Sequence, residues 1–299
     1  MKKVLVLMAS YNGEKYIDQQ VESLFAQRGV WVELLVRDDG SADSTKDRLK
    51  AWSQRSNTRW YTGQHLNVQY GFYDLMTQAL KSDADYYAFC DQDDVWDEDK
   101  LLVAVEKLEQ AAPEKPALYY CGQRLVDAQL NFLSDHRLNP GRSTHARFVL
   151  NDMAGCTGVF NRALLEAVTD YRPAYIRMHD VWMTKVCLAL GGVLLPDPEP
   201  HMSYRQHGNN VVGLRGGLRS KLARAKMILF ESSISRQAQE LQTGYPDRLT
   251  PEYRALTDEL IRSTKSLKSR WRLLRNYDIR FNDRGLSMTF ALKVLLGKA

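Results

Sequence analysis

The feature that most constrains this chain is an alternation. Short apolar runs, each ended by a polar or acidic cluster, take turns with stretches whose apolar residues recur every three or four positions. Val4-Leu5-Val6-Leu7-Met8 is a continuous apolar run, the pattern of a strand buried on both faces. Ile17, Val21, Leu24 and Phe25 follow at helical spacing, and Gly29 ends that helix. The pattern predicts a second strand over 32–36, ended by Asp38-Asp39-Gly40-Ser41. Asp43 or Ser44 can cap the next helix, which reaches about Trp52. Trp60-Tyr61 marks a third strand, and Phe72, Leu75, Met76, Ala79 and Leu80 mark another helix. Tyr86-Tyr87-Ala88-Phe89-Cys90 is a fourth strand, cut off by Asp91-Gln92-Asp93-Asp94.

Strands alternating with helices build right-handed βαβ units and a mostly parallel sheet. Ligands of such sheets bind beyond the carboxyl ends of the strands. Ser10-Tyr11-Asn12, Asp38-Asp39 and Asp91 to Asp94 all fall at those ends. Three strands therefore deliver polar groups to one edge.

Further on, a helix runs from Lys100 to about Gln110, and Pro113 and Pro116 break the chain. Strands are predicted over 117–121 and 124–126, a loop over 131–145, and a glycine-bracketed strand from Gly155 to Phe160. Helices over 161–169 and 179–190 precede a last strand at 202–204, and the pattern is helical from Gly213 on.

The aspartate cluster carries the clearest chemistry. Asp91 and Asp93 are two apart, so in extended chain they point the same way and would raise one another's pKa. A divalent cation removes that conflict. Mn²⁺ or Mg²⁺ suits oxygen ligands shared with substrate phosphates. The bland alternative is a solvated acidic turn in which Asp94 or Asp97 caps the next helix. At the other acidic pair, a carboxylate can accept from the imide N–H of a pyrimidine base while Tyr11 stacks on the ring. One aspartate of Asp38-Asp39 can make an Asx turn, with Gly40 at positive φ, while the other faces the ligand.

Composition sets the outer bounds. The 299 residues are too few for more than one large domain or two small ones, and no apolar stretch is long enough to span a bilayer. The opening residues lack the h-region and cleavage site of a signal peptide. Cys90, Cys121, Cys156 and Cys187 form no CxxC pair, so buried reduced thiols in a cytosolic protein are expected. The net charge of +5 hides a division: −5 over residues 1–212 and +10 over 213–299.

Ser10-Tyr11-Asn12-Gly13-Glu14-Lys15-Tyr16, Arg37 to Thr45, and Phe89-Cys90-Asp91-Gln92-Asp93-Asp94-Val95-Trp96 resemble family 2 glycosyltransferases of the GT-A fold. Gly155 to Asn161, His179-Asp180-Val181-Trp182 and Tyr204-Arg205-Gln206-His207-Gly208-Asn209-Asn210 resemble its bacterial rhamnosyltransferase-like branch. The resemblance covers about residues 3 to 212 and not the tail. It implies an inverting, single-displacement transfer of a sugar from a nucleotide diphosphate donor with a divalent metal. By motif position, Asp39 would hold the base with Tyr11 beside it, Asp91 would face the ribose or diphosphate, and Asp93 would bind metal with Asp94 close by. dTDP-L-rhamnose is the donor implied by the branch, giving an α-L-rhamnoside on a cell-surface polysaccharide or lipid-linked glycan. A UDP-hexose is the alternative within the class. A nucleotidyltransferase is disfavoured, because Tyr11-Asn12-Gly13-Glu14 stands where a glycine- and lysine-rich loop should follow the first strand. A non-catalytic sugar-nucleotide-binding protein would not need the intact aspartates.

Inversion in one step needs a base for the acceptor hydroxyl, and Asp180, at a predicted helix start, is the candidate. Its alternative role is the helix N-cap. The helix dipole should favour its ionised form and keep its basicity low. His179 is placed to orient Asp180 or touch acceptor. His207 is a candidate third metal ligand, and Arg205 a diphosphate ligand. Trp96 and Trp182 could frame a sugar, or serve as ordinary core aromatics. Gly208, Gly213, Gly216 and Gly217 suggest a hinge.

The expected organisation is a catalytic domain over 1–212, with a nucleotide-sugar half over 1–96 and an acceptor half over 97–212, followed by a basic helical region over 213–299. The tail's basic amphipathic pattern starts with Leu218, Leu222, Ala225 and Leu229 flanked by Arg219, Lys221, Arg224 and Lys226. It suits an anionic membrane surface, the catalytic domain or a second subunit. Nucleic acid is disfavoured, since no recognised motif accompanies the charge and the body is acidic. The expected location is the cytoplasm, with peripheral contact to the inner face of the plasma membrane.

Overall fold

The computed structural model describes residues 1–207 and 233–299. The hinge glycines and the 218–229 stretch lie outside them. The first half alternates as the apolar pattern requires: β1 (Lys2–Ser10), α1 (Ile17–Phe25), β2 (Val30–Asp38), α2 (Thr45–Arg55), β3 (Thr58–Thr62), α3 (Val68–Ala79), β4 (Tyr86–Cys90), β5 (Val95–Trp96) and α4 (Lys100–Leu108). Then come β6 (Ala117–Val126), β7 (Phe132–His136), α5 (Thr144–Val149), β8 (Val159–Asn161), α6 (Arg162–Thr169), α7 (His179–Ala189) and β9 (Val193–Arg205). The C-terminal helices are α8 (Ser233–Gly244), α9 (Pro251–Ser263), α10 (Leu267–Asn276) and α11 (Arg284–Leu295).

Among the described residues the strands form one sheet in the order β3-β2-β1-β4-β8-β6-β9-β5, with β7 also paired to β6. β1 is parallel to β2 and β4, β2 to β3, and β6 to β9. β8 is antiparallel to β4 and β6. The apolar run of β1 is unbroken because both faces are covered. Val4, Val6 and Met8 join Ile17, Val21 and Leu24 of α1 and Leu101 and Ala104 of α4. Leu5 and Leu7 join Phe72 and Leu75 of α3, Leu164 of α6 and Met183 of α7. Burying each such side chain contributes about 1.5–3 kcal/mol relative to exposure.

The described tail packs on the rest of the protein. Leu241, Tyr245, Leu256, Leu260 and Leu273 are wholly buried and belong to the same apolar cluster as α3, α6 and α7. The Tyr245 hydroxyl donates to the Ala167 carbonyl at 2.8 Å. Asn139 Nδ2 donates to the Asn282 carbonyl, and the Ser143 N–H to that of Arg280.

Four expectations change. The 131–145 stretch holds β7 and the start of α5 rather than a loop. Gly155–Thr157 is a 3-10 turn, and only 159–161 pair as strand. β6 is one continuous strand, and β9 runs back through Pro196, Pro198 and Pro200 to Val193. Proline lacks an N–H and suits an open edge. β9 offers such an edge, because β5 covers it only at Met202 and Ser203.

Candidate active site

The strand register assembles the site. Ser10 pairs with Asp38, and Met8 with Cys90, so the segments after β1, β2 and β4 leave the sheet side by side. Side chains then lace them together. Gln92 Oε1 accepts from the Ser10 hydroxyl and the Tyr11 N–H at 2.9 Å each, and Gln92 Nε2 donates to the Tyr11 carbonyl. The Asn12 N–H donates to Ser41 Oγ, and Asn12 Oδ1 accepts from the Ala42 N–H. Asn12 itself takes φ +48°, a left-handed turn that asparagine tolerates.

The acidic pair after β2 divides its work. Asp38 is wholly buried and accepts from the N–H groups of Gly40 and Ser41 and from the Ser41 hydroxyl, with Gly40 at φ +88°. That turn consumes its oxygens, so the structure corrects its expected contact with donor. Asp39 is largely but not wholly buried, ion-paired to the buried Arg37. Arg37 is fixed in turn by Asp74 and the Gln64 carbonyl. Tyr11 is half exposed, with its ring 5.2 Å from that of His65.

After β4 the carboxylates crowd. Burial, with Asp93 and Asp180 nearby, pushes Asp91 up to about 7. Burial and the charges of Asp93 and Asp91 push Asp94 well above the usual range. Asp94 Oδ1 accepts from the Arg205 N–H at 3.1 Å, whereas its buried Oδ2 has no hydrogen-bond partner. Asp91, Asp94 and the Cys156 sulfur bring possible ligand atoms within 4.8 Å of one another. Burial raises the Cys156 thiol well above its ordinary value, which keeps it protonated and a poor ligand. Asp93 Oδ2 lies 2.7 Å from His207 Nε2, and the His207 ring stacks on Tyr16. The two carboxylates of Asp91 and Asp94, one with an unsatisfied buried oxygen, fit a hard divalent cation, and the Asp93–His207 pair adds a further carboxylate and an imidazole in the same loop region.

Asp180 opens α7 and accepts from the Val181 N–H at 2.7 Å. Burial outweighs the helix start and pushes its carboxyl up to about 6, against the low basicity expected of it. His179 does not reach outward. Its ring stacks on Phe72 at 3.9 Å and meets Phe89 edge-on, and burial lowers its pKa to about 3. It is a neutral wedge behind the site and not an acceptor contact. A Cβ on Gly155 would strike its Nε2, so glycine there admits the ring.

Three more assignments move. Arg205 is buried and donates to the carbonyls of Asp93 and Ala128 and to Gln19 Oε1, so it braces the acidic loop and does not reach for diphosphate. Trp182 is wholly buried in the core, 6.4 Å from the Tyr245 ring, with no face for a sugar. Trp96 is 3% exposed, and Lys100 Nζ stands 3.2 Å from its ring centre, so it too is packed.

The profile described as Glycosyl transferase family 2 matches residues 5–169, more than half the chain. The chain belongs to that family. This glycosyltransferase is 26% identical over 241 residues to the dTDP-rhamnosyl transferase RfbG of Shigella flexneri, spanning 74% of the chain and 78% of that protein. It is 27% identical over 164 residues to WfgD of Escherichia coli, named as a UDP-Glc:alpha-D-GlcNAc-diphosphoundecaprenol beta-1,3-glucosyltransferase; the match spans 54% of the chain and 61% of WfgD. Among solved structures, residues 1-349 of S. aureus TarS in complex with UDP-GlcNAc superpose with a TM-score of 0.55 at 14% identity, covering 100% of the chain and 90% of that TarS fragment. The mannosyltransferase PcManGT from Pyrobaculum calidifontis, in complex with GDP-Man and Mn²⁺, gives 0.57 at 14% identity, covering 99% and 85%. The glycosyltransferase therefore has the GT-A fold, a mostly parallel sheet flanked by helices with further helices at the C-terminus.

Sequence reasoning passed over several side chains around this enzyme's site. Gln92 ties two loops together, and Arg37 orients Asp39. Lys100 is wholly buried and donates from Nζ to the Cys156 carbonyl at 2.7 Å, placing a cation beneath the acids. A lysine at the start of an amphipathic helix reads as surface. Only the inward face it shares with Leu101 and Ala104 hints otherwise.

Proposed function

We propose that this glycosyltransferase moves a sugar, with L-rhamnose from dTDP-β-L-rhamnose favoured, onto a cell-surface or lipid-linked glycan with inversion. The observation that carries the reading is convergence: Asp39, Asp91, Asp93 and Asp94 leave neighbouring strand ends, and the charge of Asp180 is felt at Asp91. Asp39 accepts the imide N–H of the base, and Tyr11 stacks on it. Mn²⁺ or Mg²⁺, held by Asp93 with Asp94 and His207 beside it and Asp91 close by, would neutralise charge gathering on the departing diphosphate. The acceptor oxygen attacks the anomeric carbon as the bond to the diphosphate oxygen breaks. The acceptor proton passes to Asp180, and the bonding pair leaves with the nucleoside diphosphate. The dTDP-rhamnosyl relative supports the donor. A UDP-hexose is the second reading, supported by the UDP-Glc-dependent relative. The enzyme works in the cytoplasm, where nucleotide sugars are made.

The test is a panel of nucleotide sugars with Mn²⁺, read by thermal shift and by hydrolysis. dTDP-rhamnose should give the largest shift and the fastest release of diphosphate; a larger response to a UDP-hexose replaces the donor. Asp93→Ala should abolish metal-dependent donor binding, and normal turnover in that variant removes the metal assignment. Asp180→Asn should keep donor affinity and lose about 10²–10⁴ in turnover, the range of a general base.

A further inference from the structure

α11 is apolar on two sides. Phe290 and Val294 are buried against the protein, while Met288, Leu292, Leu295 and Leu296 are 73%, 46%, 44% and 49% exposed. Positions 288, 292 and 295 recur as one helical face. α10 repeats the arrangement with Leu267 and Trp271, one turn apart and 68% and 54% exposed. The two helices touch where Arg270 Nη1 donates to the Leu295 carbonyl at 2.8 Å. Positive charge surrounds them. Residues 265–299 hold nine lysines and arginines against two aspartates. Lys265, Lys268, Arg272, Arg275 and Arg284 are exposed, and the Arg275 guanidinium lies 5.3 Å from the Trp271 ring centre.

The inner faces of α10 and α11 account for their packing; the outer apolar strips do not serve it. We propose that these strips, with the basic side chains around them, dock on an anionic lipid surface. Leucine, methionine and tryptophan enter the boundary between headgroups and acyl chains, and lysine and arginine meet the lipid phosphates. A second copy of the chain fits less well, because two such faces would bring like charges together. Nucleic acid fits less well still: Leu267, Met288, Leu292, Leu295 and Leu296 neither stack on bases nor pair with phosphate, which leaves Trp271 alone among the strip residues to stack. The inference rests on the lipid-linked acceptor reading only for its purpose, since docking brings the cleft to the acceptor; the binding itself needs neither donor nor acceptor.

The test is co-sedimentation of the full chain with vesicles rich in phosphatidylglycerol or made of phosphatidylcholine alone. Binding to the anionic vesicles should be at least about tenfold tighter, and added salt should weaken it. Leu267→Ser with Trp271→Ser, and separately Lys268→Glu with Arg275→Glu, should each lose about tenfold in binding while keeping the thermal transition and donor hydrolysis. Equal binding to both vesicles overturns the proposal. So does undiminished binding by the variants, or a lipid-free dimer that the same variants dissociate in sedimentation velocity. Transfer to a soluble acceptor without vesicle binding sinks the docking and leaves the enzymatic reading standing. Vesicle binding without transfer does the reverse.

Discussion

Asp180 and Asp91 are close enough for one charge to raise the other, yet their surroundings differ. Asp180 keeps a backbone N–H at the start of a helix, and burial still lifts it to about 6. A base must be ionised to act, so turnover should fall about tenfold per pH unit below about 6 as Asp180 takes up its proton. A kcat profile between pH 4.5 and 8 checks this, and a flat acid limb would take Asp180 out of the role. Lys100 is the other residue whose environment sets its part. Lys100→Met leaves the Cys156 carbonyl without its buried donor and the acids without the cation beneath them. It should cost about 1–3 kcal/mol of stability and weaken donor binding. Denaturant melts and donor titration read the two losses, and a variant unchanged in both would reduce Lys100 to packing.

At the scale of elements, α7 carries the base at one end and a buried amine near its middle. Lys185 donates to the Phe148 carbonyl, and burial lowers its pKa from 10.5 to about 7. Between those values the unfolded chain binds a proton that the folded chain does not, so stability rises with pH across that window. Below about 7 the folded amine is charged at full desolvation cost. The pH dependence of stability between 7 and 10 should therefore flatten in Lys185→Met, as urea melts at several pH values would show. How legible an element was depended on its faces. β4 and the middle of β1 are buried on both sides, so their sequences had to be unbroken apolar runs, and β2 keeps one only over Leu34–Val36, after the exposed Trp31 and the ion-paired Glu33. β7 is largely exposed and has no such run. β9 hides behind three prolines that only an open edge permits. A similar split holds for side chains: Asp39, Asp91, Asp93 and Asp94 follow the strand ends, as the alternation of strands and helices predicts, whereas Asp38, Arg205 and Trp182 are taken up by turn, brace and core. A side chain's chemistry is visible in the sequence; the partner that consumes it across the fold is not.

The whole molecule turns the uneven charge into a spatial arrangement. Carboxylates gather at the strand ends of the catalytic body, and the net positive charge of 233–299 sits on helices that also contribute to its core. Leu256 is wholly buried between α9 and that core, and Leu256→Ala should cost about 2–5 kcal/mol, read from denaturant melts, without changing KM for donor. The same continuity decides what truncation can reveal. Removing 233–299 takes away Leu241, Tyr245, Leu256, Leu260 and Leu273 together, uncovers Trp182 and strands the Ala167 carbonyl. The remainder should bind a hydrophobic dye, lose its near-ultraviolet circular dichroism and melt without a cooperative transition. A truncated chain that folds cooperatively and turns over donor would separate the tail from the catalytic core and reverse this view. Since truncation removes core and outer surface at once, lost vesicle binding in the shortened chain says nothing about docking. Only substitutions on the outer faces of α10 and α11 divide the tail's two roles, because those side chains leave the core as it is.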